Sequence, residues 1–122
     1  MAVVLVVEDN RANMELASFL LQSVGHTVLA AATAEAGLVL ARTERPSLIL
    51  MDIQLPGMDG LEAIGILKRD DATGAIPVIA LTALAMKGDE ERIRAAGADG
   101  YIAKPIRYQE FLATIAAKLA YA

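Results

Sequence analysis

The sequence predicts an α/β domain: a doubly wound parallel sheet of five strands in the order 2-1-3-4-5, with five helices. Three observations lead there. Short apolar runs recur at five places. Segments with helical apolar spacing lie between them. The chain has 122 residues, enough for one domain spanning 1–122 and no second. Folding a chain of this size hides roughly two-thirds of its unfolded surface, so a single core is expected.

The apolar runs are Val3–Val7, Thr27–Ala31, Leu48–Met51, Val78–Leu81 and Tyr101–Ala103. Most are β-branched or Leu-rich and apolar at successive positions, as strands buried on both faces require. After the first run, Met14, Ala17, Leu20, Leu21 and Val24 fall on one helical face. Gly25 follows them as a C′ residue should. Thr33 can cap the second helix. Pro46 ends the approach to the third strand, Pro77 starts the fourth, and Gly97 follows the fourth helix. In the last helix Phe111, Leu112, Ile115, Ala116 and Leu119 share a face. Alternation of this kind implies right-handed crossovers with helices on both faces of the sheet. At this length it suggests the flavodoxin-like order, whose ligands bind beyond the carboxyl ends of the strands, where strands 1 and 3 meet.

Composition narrows the chemistry. With no cysteine there is neither a disulfide framework nor a Cys-based zinc site, and a single histidine argues against a His-rich metal site. The formal charge of −4 gives no long-range attraction to nucleic acid phosphates. No apolar run approaches the roughly 20 residues that span a bilayer. The opening MAVVLVVEDN lacks a basic region before its apolar stretch and reads as a strand, not a signal peptide. A cytoplasmic domain that meets neither nucleic acid nor membrane is expected.

The strand ends hold the polar residues that matter. Glu8 and Asp9 follow the first strand, Asp52 the third, Thr82 the fourth and Lys104 the fifth. In the predicted order these strands are neighbours, so three carboxylates, a hydroxyl and an ammonium converge on one rim. Carboxylates so placed repel one another and stay ionised only beside a cation. An all-oxygen donor set selects a hard one, and Mg²⁺ suits one or two carboxylates plus waters. A carboxylate held against Mg²⁺ can attack phosphorus while Lys104 holds a phosphoryl oxygen as a point charge. Thr82 can donate its hydroxyl to another. Each residue also has a plain reading: Asp52 as a turn residue, Glu8 and Asp9 as solvated or helix-capping acids with Asn10, Thr82 as an N-cap, Lys104 as a surface charge. Chance does not readily put all five at successive strand ends. His26 sits in the turn after the first helix, away from this rim, and reads as a solvated turn residue.

The stretches VLVVEDN, LILMDIQLPGMDGLE, VIALTA and ADGYIAKPI resemble the receiver domains of two-component response regulators, in order and over essentially the whole chain. The stretch AMKGDEERIR resembles the single-domain cell-cycle regulators of the DivK type, and also receivers inside hybrid kinases. The resemblance implies that Asp52 is the phosphoacceptor. It implies that Asp9, Asp52 and the backbone carbonyl of Gln54 bind Mg²⁺, with Glu8 acting mainly through water. It makes Thr82 the switch hydroxyl, Tyr101 the switch aromatic and Lys104 the phosphate-contacting lysine, with a cis peptide at Lys104–Pro105. Gln54 and Leu84 occupy the positions that tune phosphoryl lifetime. An apolar Leu84 cannot orient a water, so a longer lifetime than in chemotaxis-type receivers is expected.

The resemblance also implies a partner: a sensor histidine kinase or histidine phosphotransfer protein, docking near Ala12, Asn13, Leu16 and Ile106. A downstream protein target would meet the face bearing Met86, Lys87, Glu91, Arg94, Tyr101 and Arg107. No catalysis is expected beyond self-phosphorylation and self-dephosphorylation. Rival readings fare less well. A haloacid-dehalogenase phosphatase resembles Asp-x-Asp after its nucleophilic strand, where position 54 is Gln here. A flavin or nucleotide domain needs a glycine-rich loop where EDNRAN stands. A receiver that never uses its phosphate tends to lose the acceptor, an acid or the lysine, all present here.

Overall fold

The computed structural model describes residues 2–83 and 87–120, with the backbone alone at Lys87. The elements alternate strictly: β1 (Val3–Val7), α1 (Arg11–Ser23), β2 (Thr27–Ala31), α2 (Ala34–Glu44), β3 (Leu48–Asp52), α3 (Gly60–Arg69), β4 (Val78–Thr82), α4 (Lys87–Ala95), β5 (Gly100–Ala103) and α5 (Tyr108–Ala120). All strand pairings are parallel and the order is β2-β1-β3-β4-β5, as predicted. Asp52 and Thr82 are the last residues of their strands rather than the first residues after them, and β5 begins one residue early, at Gly100.

Continuous apolar strands make two cores, one on each face of the sheet. Leu5, Val7, Ile49, Met51, Val78 and Ala80 face α2, α3 and α4, meeting Ala34, Ala41, Ala63, Ile64, Leu67 and Ile93. The alternate residues Val4, Val6, Leu48, Leu50, Ile79 and Leu81 face α1 and α5, meeting Ala17, Leu21, Phe111 and Ile115. Two residues of the expected helix faces are exposed instead, Val24 and Ala116. Val24 is the C-cap of α1, where the chain has already begun to turn away.

That turn is a Schellman motif: Gly25 N–H donates to Gln22 O (3.0 Å), His26 N–H donates to Leu21 O (3.1 Å), and Gly25 has φ +92°. Gly97, at φ +112°, closes α4 the same way, with Ala98 N–H donating to Ile93 O (3.3 Å). Thr33 caps α2 by accepting from Ala36 N–H (3.1 Å), and Asn10 caps α1 by accepting from Asn13 N–H (2.9 Å). At the end of α2, Arg45 takes a left-handed conformation with φ 45°. The solvated reading of His26 needs correction. Its ring is half-buried, and Nδ1 accepts the Ala2 N–H at 3.2 Å, because the loop folds back onto the start of β1. Among the described residues, no helix is long and apolar enough to cross a membrane.

Candidate functional site

The carboxyl ends of β1, β3, β4 and β5 form one rim, and hydrogen bonds carried one residue past the strands fix it. Glu8 N–H donates to Ala31 O (3.0 Å), Ile53 N–H to Leu81 O (3.1 Å) and Lys104 N–H to Thr82 O (2.7 Å). The residues just beyond each strand therefore inherit the rigidity of the sheet. The Lys104–Pro105 peptide is cis, as expected.

Glu8, Asp9 and Asp52 each direct a carboxylate oxygen into the same space, all within 4.8 Å of one another. Asp52 and Glu8 are almost fully buried, with 1% and 2% of their surface exposed, while Asp9 is exposed. Lys104 bridges the two buried acids, its Nζ lying 2.8 Å from Asp52 Oδ2 and 2.9 Å from Glu8 Oε1. Its hydrogen bond goes to Asp52. Glu8 Oε1 is buried, and the Lys104 ammonium is its ion-pair partner. The other oxygens are held from the backbone: Asn10 N–H donates to Glu8 Oε2 (3.1 Å) and Gln54 N–H to Asp52 Oδ1 (2.8 Å).

The electrostatics follow from this crowding. Burial, followed by the neighbouring Asp52, raises the Glu8 carboxyl above its ordinary value of 4.5. Burial alone would lower the Lys104 ammonium, but its contacts with Asp52 and Glu8 outweigh that and raise it. One lysine between two buried acids, with a third acid beside them, leaves the cluster short of positive charge. A buried Glu8 oxygen without a hydrogen bond and an all-oxygen donor set fit a hard divalent cation.

The remaining predicted residues fall around this cluster. Thr82 is fully buried at the end of β4, one residue beyond the Leu81 that pairs with Asp52. Gln54 is exposed on the loop after β3. Tyr101, on β5, is half-buried against the core, with the Arg94 guanidinium 5.8 Å from its ring centroid. Leu84 and Met86 lie outside the described residues, as does the side chain of Lys87. On the helix side of the rim, Ala12 and Leu16 are exposed and Asn13 and Ile106 half-buried.

Sequence reasoning missed two supports of the site. One is the Gln54 N–H on Asp52; nothing in the residue types announces a backbone donor. The other is the start of α3. Asp59 caps it by accepting from Glu62 N–H (2.9 Å), and an Asp with a Glu three residues on was a readable signal.

The model for the response regulator receiver domain matches residues 4–116. The polar-differentiation response regulator DivK of Brucella anthropi is 52% identical over 112 residues, covering 92% of this chain and 91% of that protein. Among solved structures, the receiver domain of a sensor histidine kinase from Pseudomonas aeruginosa, with a magnesium ion coordinated in its active site cleft, superposes with a TM-score of 0.90. It is 33% identical and covers 98% of each chain. The chemotaxis response regulator CheY4 of Vibrio cholerae gives a TM-score of 0.92 at 28% identity, over 97% of this chain and 98% of that one. The chain belongs to the response regulator receiver domains, the phosphoacceptor modules of two-component signalling.

Proposed function

We propose that Asp52 accepts a phosphoryl group from a phosphohistidine of a sensor histidine kinase or phosphotransfer protein, with Mg²⁺ as cofactor. The convergence of Glu8, Asp9 and Asp52 oxygens within 4.8 Å, beside the Lys104 ammonium, carries this reading. Asp9, Asp52 and the Gln54 carbonyl would hold the metal, with Glu8 acting through water. When bound there, Mg²⁺ would neutralise the carboxylates and the incoming phosphoryl oxygens. A carboxylate oxygen of Asp52 forms the new O–P bond as the P–N bond of the donor breaks. The electron pair goes to the imidazole, which takes up a proton. Lys104 leaves its ion pair with Asp52 and holds a phosphoryl oxygen.

The product adds about −1.5 to −2 charges at the rim. Thr82 turns its hydroxyl to the phosphoryl group, and Tyr101 repacks into the space beside β5. The face bearing Glu91, Arg94, Tyr101 and Arg107 changes with it, which is how a downstream protein target reads the signal. Inverting a 1:99 population takes about 5.5 kcal/mol, within reach of a few charge-assisted hydrogen bonds. The donor docks over Ala12, Asn13, Leu16 and Ile106 in the cytoplasm.

Labelled phosphoryl donor tests this. With Mg²⁺ the chain should take up label that hydroxylamine releases, as an acyl phosphate requires, and Asp52→Asn should take up none. Label that survives hydroxylamine, or that persists in the variant, contradicts the assignment.

A further inference from the structure

We infer that Gly60 is a positioning residue for phosphoryl acceptance: the absence of a side chain lets the first turn of α3 rest on the Asp52–Ile53 peptide and hold the acceptor in the cluster. The inference rests on the reading of Asp52 as acceptor. Gly60 is buried and is the first residue of α3. Its φ is not in the left-handed region, so its backbone conformation is one that alanine adopts freely. Space alone demands glycine here. A β-carbon at Gly60 would lie 2.5 Å from Ile53 Cα and 2.8 Å from the Asp52 carbonyl carbon, and would collide with Asp52 O. These are backbone atoms at the end of β3 and one residue beyond it, and no rotamer change relieves the clash.

The contact is also tied from both ends. Gly60 N–H donates to Ile53 O (3.3 Å), and the Asp59 cap fixes the same turn. The peptide that Gly60 touches carries the Asp52 side chain and leads directly to Gln54, whose N–H holds Asp52 Oδ1 at 2.8 Å. An atom added at position 60 therefore presses directly on the peptide that carries the acceptor carboxylate and leads into the Gln54 backbone. Displacements of about 1 Å at a reacting centre cost rates of about a hundredfold.

The test compares wild type, Gly60→Ala and Gly97→Ala. Gly97 is a control for lost stability: its φ is +112° and its β-carbon would meet Lys68 Cγ at 3.0 Å, remote from the acceptor. Melting temperature and phosphorylation by acetyl phosphate are measured across Mg²⁺ and donor concentrations. A stabilising osmolyte is included so that each variant is compared folded. Gly60→Ala should be phosphorylated about a hundredfold more slowly and require a higher Mg²⁺ concentration for half its maximal rate. Gly97→Ala should melt earlier yet keep the wild-type rate and Mg²⁺ requirement.

A folded Gly60→Ala with wild-type rate and Mg²⁺ requirement overturns the inference. So does an equal loss in Gly97→Ala. A Gly60→Ala chain that stays unfolded even in osmolyte makes Gly60 a purely structural glycine and overturns it too. Wild type that accepts no phosphoryl group defeats the acceptor reading itself, and the inference with it.

Discussion

Glu8 bears the electrostatic cost of the site. Its carboxyl is raised chiefly by burial, so the fold favours its protonated form. The stability this group contributes is complete below its ordinary value of 4.5 and is lost as pH rises through the higher folded value. In chelator at neutral pH, Glu8→Gln should therefore melt no earlier than wild type. In Mg²⁺ the wild type should gain more than the variant, since a divalent cation stabilises only the ionised cluster. A variant that melts earlier in chelator contradicts this account. His26 works in the opposite sense. Burial lowers it below 6.5, so its contribution is intact above that pH and is lost as pH falls through the folded value. Protonation also ends its role as acceptor from Ala2 N–H. The melting temperature of wild type should fall more steeply below pH 6.5 than that of His26→Gln; parallel curves would contradict this. At this scale the candidate site was largely legible. Glu8, Asp9, Asp52, Thr82 and Lys104 could be read because strand ends are recognisable and their residue types are chemically rare there. The backbone donors of Asn10 and Gln54 could not, because every residue has an N–H and only the loop geometry selects these two.

Helix ends show what elements owe to single residues. Gly25 and Gly97 supply left-handed residues where the chain must reverse, and both were readable as glycines after apolar faces. Arg45 does the same work at the end of α2 without the freedom of glycine. Pro46 marked the helix end at Arg45, but the left-handed conformation was not legible in an arginine. Arg45→Gly should relieve left-handed strain and stabilise the protein by up to about 1 kcal/mol, less the entropy glycine loses on folding. Thermal denaturation checks it; an earlier melt would show that the arginine side chain contributes more than the strain costs. The link from α3 to the loop before β5 was equally invisible. Lys68 Nζ pairs with Asp99 at 2.7 Å and donates to Ile76 O at 2.7 Å, while Asp99 accepts Val78 N–H at 2.8 Å. These partners are far apart in sequence, and only the finished fold brings them together.

The whole molecule follows from strands buried on both faces. Successive apolar residues with helices between them leave one economical arrangement, and strand limits were legible to within a residue for that reason. The exposure of Val24 was not, because periodicity continues in sequence after the helix has ended. Phe111 is the largest fully buried side chain among the described residues, in the core between the sheet and the helices α1 and α5. Phe111→Ala should cost about 3–5 kcal/mol in denaturant unfolding, a large share of the roughly 5–15 kcal/mol that holds such a domain. A cost under about 1 kcal/mol would mean that this core repacks freely. On the proposed reading, this scaffold presents Asp52, beside a divalent cation, to a phosphoryl donor. Intact mass after incubation with acetyl phosphate tests it most directly, with Mg²⁺ or chelator and with Asp52→Ala in parallel. One phosphoryl group should appear on wild type in Mg²⁺ and none in chelator or in the variant. An adduct that forms without the metal, or that survives loss of Asp52, would contradict it.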